Sequence, residues 1–115
     1  MVFDLNGVRM RVVKTAAAGV VNFETIFQFE QDESGVVSAS YSGGGVIKGF
    51  LVGKIDGNAL SFRYCQADER GRLDGGVSDC ELERTSDGRI RLIERFRWES
   101  RDEVGENIFE EIAAN

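Results

Sequence analysis

Short runs of alternating apolar and polar residues, each closed by a glycine-bearing turn and none broken by proline, constrain this chain more than any other feature. Turn signals stand at Asn6-Gly7, Ser34-Gly35, Gly43-Gly44-Gly45, Asp56-Gly57-Asn58, Arg70-Gly71, Asp87-Gly88 and Gly105. Between them, Phe, Tyr, Trp, Val, Ile and Leu recur at every second position, the spacing of a half-buried strand. A string of short strands punctuated in this way predicts an all-β sandwich or barrel.

Hairpin geometry lets the runs be tested against one another, because a one-residue slip moves every side chain of a strand to the other face. A three-residue loop with glycine last forms a type I turn followed by a glycine bulge. Applied to Glu33-Ser34-Gly35, it pairs Phe29 with Ala39 and Phe27 with Tyr41, leaving Glu30 opposite Ser38 outside. Gly43-Gly44-Gly45 as the next loop sets Tyr41 against Ile47, Ala39 against Gly49 and Val37 against Leu51. A two-residue Gly57-Asn58 turn sets Ile55 against Leu60, Gly53 against Phe62 and Leu51 against Tyr64. Glu69-Arg70-Gly71 gives Tyr64–Gly76, Phe62–Ser78 and Leu60–Cys80. Ser86-Asp87-Gly88 gives Leu82–Leu92 and Cys80–Glu94, with Glu83 opposite Arg91 and Asp79 opposite Arg95 on the other face. The shorter Asp87-Gly88 turn would oppose Arg84 and Arg91, a repulsive pair. Glu103-Val104-Gly105 sets Trp98 against Glu110 inside and Arg97 against Glu111 outside.

One apolar face then runs from Phe23 to Ile112. It uses odd positions before the Gly57-Asn58 corner and even positions after it. A meander of about eight to nine strands with one dry face must cover that face and its edges. The helical candidates, residues 15–21 around Ala16-Ala17-Ala18 and a final turn over residues 110–114, are too short to do so. The expectation is a single domain over residues 1–115, an antiparallel up-and-down meander closed into a barrel, with a sandwich as the second solution.

Composition narrows the chemistry. With 42% hydrophobic and 30% charged residues in 115, the chain has the balance of a folded soluble domain. No apolar run approaches a membrane helix, and the start Met1-Val2-Phe3-Asp4-Leu5 lacks the pattern of a signal peptide, so cytoplasmic residence is expected. A formal charge of −6 disfavours a nucleic-acid partner. The absence of histidine removes the commonest general base, the usual nucleophile triads and most transition-metal sites. Cys65 and Cys80 fall on opposite faces and should not bridge, and Cys80 beside Glu94 makes a poor thiolate. No cofactor or metal is expected. Gly44 to Gly49 has the glycine spacing of a phosphate loop, but Phe50 and Leu51 stand where Lys and Ser/Thr are required.

The candidate site lies on the inner face. Phe27, Tyr41, Phe62, Tyr64, Phe96 and Trp98 face inward against small residues, Ala39, Gly49, Gly53, Gly76 and Ser78. Small-against-large alternation either fills a barrel's taper or leaves a pocket for a small, partly apolar molecule. Glu94 and Glu110 fall in the same inward rows, where a carboxyl must be hydrogen-bonded, paired or neutral. They read as ligand-orienting groups or as an acid/base, or else as members of a structural network at the barrel rim. Tyr41, Tyr64, Gln66 and Ser78 are available donors. The run Arg84, Arg89, Arg91, Arg95, Arg97 and Arg101 meets acidic neighbours across strands and reads as a solvated outer face.

Tyr41-Ser42-Gly43-Gly44, Ile47-Lys48-Gly49-Phe50-Leu51-Val52-Gly53 and Asp87-Gly88-Arg89-Ile90-Arg91-Leu92, with Glu94 and Trp98, carry a likeness to a known group. Over about the middle two-thirds of its length, the chain resembles a family of small bacterial proteins without established activity, often labelled N-acetylglutamate synthase. That resemblance implies a calycin-type barrel, the group that includes lipocalins, and assigns no catalytic residue. The enzyme label finds no support in these residues, since an acetyltransferase of the usual kind needs an α/β fold and a pyrophosphate-gripping loop before a helix. The expected function is a non-enzymatic barrel holding a small apolar or amphipathic ligand. A homodimer through outward Val36, Phe50, Val52 and Ile93 comes second, and an enzyme using Glu94 or Glu110 third.

Overall fold

The structure, a computed structural model, describes residues 3–16 and 20–112. Eight strands follow in chain order: β1 (Arg9–Lys14), β2 (Ile26–Gln31), β3 (Val36–Gly43), β4 (Val46–Asp56), β5 (Ala59–Asp68), β6 (Leu73–Arg84), β7 (Ile90–Trp98) and β8 (Val104–Glu111). Each pairs antiparallel with the next, and β1 pairs with β8 to close the barrel. Closure leaves no unpaired edge, the solution the amphipathic pattern asked for.

Four hairpins have the expected registers. Phe27 faces Tyr41 and Phe29 faces Ala39 across β2–β3, and Leu51 faces Tyr64 across β4–β5. Phe62 faces Ser78 across β5–β6, and Cys80 faces Glu94 across β6–β7. At Gly88, φ is 87°, the left-handed conformation that closes a three-residue loop and that other residues rarely adopt.

Three expectations are corrected. In β3–β4, Gly43 pairs with Val46, Tyr41 with Gly49 and Ala39 with Leu51, and a bulge at Ile47 and Lys48 absorbs the difference. Gly44 takes a φ of 63°, so a tighter turn than the three-glycine loop is open to this segment. The bulge turns Ile47 out to solvent and puts Val46 inside, but the slip is even, so Gly49, Leu51 and Gly53 keep their face. In β7–β8, Arg97 pairs with Val104, Glu94 with Asn107 and Arg91 with Glu110, an odd slip that reverses the faces of β8. Residues 99–103 make a longer connection than the Glu103-Val104-Gly105 loop, because the Trp98 amide bonds the Glu103 carbonyl and the Glu99 amide bonds Gly75. Glu110 therefore points outward, and Asn107 and Phe109 point inward.

The third correction concerns the ends of the chain. Among the described residues there is no helix: residues 15, 16, 20 and 21 are irregular, and residues 110 and 111 lie in β8. Residues 17–19 and 113–115, which fall in the two helical candidates, lie outside the described residues. Phe23, expected to begin the apolar face, is exposed. Arg9–Lys14 instead supplies the closing strand, sending Met10 and Val12 into the core.

The connections at residues 15–25, 44–45, 69–72 and 99–103 share one end of the barrel. The opposite end holds the three turns β2–β3, β4–β5 and β6–β7, with the N-terminal residues packed over it. There Leu5, Met10, Val12, Phe29, Val37, Leu60, Leu92 and Phe109 form a core with almost no exposed surface. The functional questions lie at the first end.

Candidate functional site

Interior side chains near the 99–103 end line a half-open cavity. Its wall takes Phe27 from β2, Tyr41 from β3, Leu51 from β4, Phe62, Tyr64 and Gln66 from β5, Glu94, Phe96 and Trp98 from β7, and Asn107 from β8. Val20 and Val21 of the β1–β2 connection complete it. The free space is about 30 Å³, room for about one water molecule. Seven of the eight residues singled out from the sequence meet here: Phe27, Tyr41, Phe62, Tyr64, Glu94, Phe96 and Trp98. Glu110 does not. It sits outside, 3.0 Å from Arg91 and 3.6 Å from Arg89, because the odd register of β8 turns it away.

The aromatic walls differ in packing. Phe27 stacks on Tyr41 and Phe109 at centroid distances of 4.3 and 4.6 Å. On the other side Tyr64 and Phe96 meet Trp98 edge to face at 5.6 and 5.9 Å. Glycine makes room for three of these rings: a Cβ at Gly49 would strike Tyr41, one at Gly76 the Tyr64 ring and hydroxyl, and one at Gly105 Phe96. The small-against-large reading is thus realised, with Tyr41 rather than Ala39 as the partner of Gly49.

Polar groups thread the same space. Ser78 Oγ donates to Glu94 Oε2 at 2.6 Å, and Asn107 Nδ2 donates to Glu94 Oε1 at 2.9 Å. Asn107 Oδ1 in turn accepts from the Ala16 amide at 3.2 Å, tying the interior acid to the start of the β1–β2 connection. The Tyr41 hydroxyl donates to Gln66 Oε1 at 2.8 Å. Burial raises the Glu94 carboxyl above its ordinary range, opposed by the two hydrogen bonds, which favour the anion. Burial, then the proximity of Glu94, pushes the Tyr41 and Tyr64 hydroxyls and the Cys80 thiol upward. All three stay protonated near neutrality, so Cys80 is a poor nucleophile.

Among the described residues, two donors on this wall have no acceptor. The Tyr64 hydroxyl and the Trp98 indole Nε1 are buried and find no hydrogen-bond partner in the described protein. Each such group costs about 1–3 kcal/mol relative to a satisfied one.

Asn107, Leu51, Val20 and Val21 were not singled out from the sequence, and Gln66 only as an inward donor. Asn107 was hidden by the β8 register. Its signal is cross-strand charge: the observed pairing puts Glu110 opposite Arg91 and Glu106 opposite Arg95, whereas the expected one forms only Arg97–Glu111. Of the arginines expected on a solvated outer face, Arg91 pairs with Glu83 at 3.3 Å and Arg95 with Glu81 and Glu106 at 3.5 and 3.6 Å, whereas Arg101 is drawn in, its Nε buried and its guanidinium over the Trp98 ring.

A comparison with curated proteins finds no match. The family model described as avidin-like protein matches residues 3–112, which takes in all eight strands and the whole cavity wall. The closed eight-stranded meander is also the calycin-like architecture implied by the resemblance. On that coverage, the chain belongs to the avidin-like protein family.

Proposed function

We propose that the cavity is a binding chamber for one small, partly apolar ligand, whose polar group accepts hydrogen bonds from Tyr64 and Trp98. The observation that carries this is the pair of unpartnered donors on one aromatic-lined wall. A buried donor left unpaired is a standing cost, and an acceptor placed between the two would remove it. Phe27, Phe62, Phe96 and the Trp98 ring offer the apolar contact, while Glu94 and Gln66 offer polar groups that fix orientation. Family membership supports the reading through the fold, since a closed eight-stranded barrel is just wide enough to hold one small ligand. A space of about 30 Å³ is too small for a ligand of many atoms, so occupancy requires side chains of the wall to move aside.

Trp98 is the only tryptophan, so its emission reports on the chamber directly. Titration with biotin and other small amphipathic molecules is expected to give a saturable change for at least one. Tyr64→Phe and Glu94→Gln are each expected to weaken that binding about tenfold, the size of one lost hydrogen bond to a buried group. If the whole panel leaves the emission unmoved at about 1 mM, the chamber reading is wrong.

A second reading rests on a different surface. Ile47, Phe50 and Val52 of β4 and Leu73 of β6 are large apolar side chains exposed by more than half, and Cys65 lies beside Phe50 on the same outer face. An outer face carrying several large exposed apolar side chains is the kind that marks a contact site. We propose self-association through it. Light scattering is expected to show a mass that grows with concentration and falls to the monomer in Phe50→Glu; a monomer throughout would overturn it.

A further inference from the structure

The geometry points to a carboxylate subsite where Tyr64, Trp98 and Arg101 meet, so that the ligand of the chamber is a small carboxylic acid bound as its anion. This rests on the chamber reading above and goes beyond it by naming the charge the ligand carries.

Among the described residues, three donors at this corner are buried without a protein partner: the Tyr64 hydroxyl, Trp98 Nε1 and Arg101 Nε. The Arg101 guanidinium lies 4.4 Å from the centre of the Trp98 ring, and at the Tyr64 hydroxyl its charge acts against those of Glu94, Asp74 and Glu99. Arg101 is held in place rather than used up. Its Nη2 reaches Asp74 Oδ2 at 3.4 Å, a long contact, while Asp74 Oδ1 accepts from Ser100 Oγ at 2.8 Å. The connection that carries it is pinned by the Trp98–Glu103 and Glu99–Gly75 backbone bonds. A stacked, anchored guanidinium thus keeps its Nε–H without an acceptor, beside an Nη2 only weakly held by Asp74.

The chemistry of that acceptor follows from what surrounds it. A positive charge and two neutral donors attract an anion and repel an ammonium group. A neutral amide could accept from Tyr64 and Trp98 but would gain less from Arg101. Asp74 keeps the corner from being strongly basic, which suits one carboxylate better than a doubly charged phosphate. Glu94 lies across the cavity, and its burial disfavours a second charge there, so the ligand's apolar body sits between the aromatic walls.

The test uses the full chain and three probes of equal size, butanoate, butanamide and butylammonium. The readout is the single indole N–H resonance of Trp98. Butanoate is expected to shift that resonance saturably and to bind at least about tenfold more tightly than butanamide, the difference a charge-assisted bond makes. Butylammonium should not bind. Arg101→Gln should bring the butanoate-to-butanamide ratio close to one, while Arg101→Lys, which keeps charge but loses the fork, retains part of the preference. Tyr64→Phe should weaken butanoate with Arg101 intact, which keeps the test open if an Arg101 variant does not fold. Equal binding of butanoate and butanamide overturns the subsite and leaves the chamber standing. No response to any of the three also overturns the subsite, and the chamber then rests on the larger ligand panel.

Discussion

The two ends of this barrel are built from the same strands and packed by different rules. At the end carrying the N-terminal residues, Leu5, Phe29, Val37, Leu60 and Leu92 are almost completely buried, and among the described residues no fully buried polar side chain interrupts them. At the other end the same inward rows continue as Tyr41, Tyr64, Gln66, Glu94, Trp98 and Asn107, with two donors left unpaired and a small space between them. The difference teaches where stability and function separate. One end is closed by apolar packing that leaves nothing for a ligand to improve. The other carries unsatisfied polar groups that only a bound molecule would complete.

Truncation at the dry end should give the largest effect. Phe29→Ala removes a fully buried ring from a region with no space to spare and is expected to cost about 3–5 kcal/mol in urea unfolding. Loss of less than about 1 kcal/mol would show that this end is not the denser one, and the contrast would fail.

The acid inside the wet end comes next, through pH. Glu94 has its carboxyl raised by burial, so the folded chain binds a proton that the unfolded chain releases above about pH 4.5. Its contribution is complete below that pH and is lost as pH rises through the folded value, with a slope of at most about 1.4 kcal/mol per pH unit. Ser78 and Asn107 face the carboxyl directly, with Cys80, Tyr41 and Tyr64 close by, and no cation stands among them. Glu94→Gln is expected to flatten this dependence, with its advantage over the natural chain growing as pH rises above about 4.5 toward the folded value. A variant that parallels the natural chain throughout that range would show that Glu94 does not titrate there.

How much of this was legible follows the turns. Gly35, Gly71 and Gly88 each end a three-residue loop, and Gly57 opens a two-residue turn, so the sequence alone aligns the strands they join. Seven residues of the cavity wall came from those alignments. Where the turn chemistry was ambiguous, the reading failed by an amount that mattered only if it was odd. Three glycines at residues 43–45 allowed an even slip, which misplaced Ile47 but spared Gly49 and Leu51. The connection at residues 99–103 has no such signature, and the odd slip exchanged Glu110 for Asn107. β1 was harder still, since Met10 and Val12 are its only inward residues and its partner β8 lies at the far end of the sequence, with no hairpin loop to set the register.

A smaller effect of opposite sign to the first is expected from Tyr64→Phe. At the dry end every atom removed is a loss, whereas here the substitution removes a buried hydroxyl that bonds to nothing and keeps the ring against Trp98. Stability in the absence of ligand is expected to rise by about 1 kcal/mol, while ligand binding falls. A fall in both would mean that the hydroxyl already holds an ordered water, and the wet end would be as satisfied as the dry one.

The smallest effect sharpens the comparison by holding chemistry constant and changing only the face. Glu110→Gln makes the same carboxylate-to-amide change as Glu94→Gln, but on the outer surface, where Glu110 bridges Arg91 and Arg89 at 3.0 and 3.6 Å. Partly exposed ion pairs contribute at most about 1 kcal/mol and are weakened by salt. The variant is therefore expected to lose a few tenths of a kcal/mol in dilute buffer, a loss that shrinks at about 1 M salt, with no change in the response of Trp98 to any ligand. The Glu94 variant should show the reverse pattern, with little dependence on salt and a clear dependence on pH. If Glu110→Gln altered ligand binding as strongly as Glu94→Gln, the register that places one acid outside and the other inside would be wrong, and the assignment of the cavity wall would fall with it.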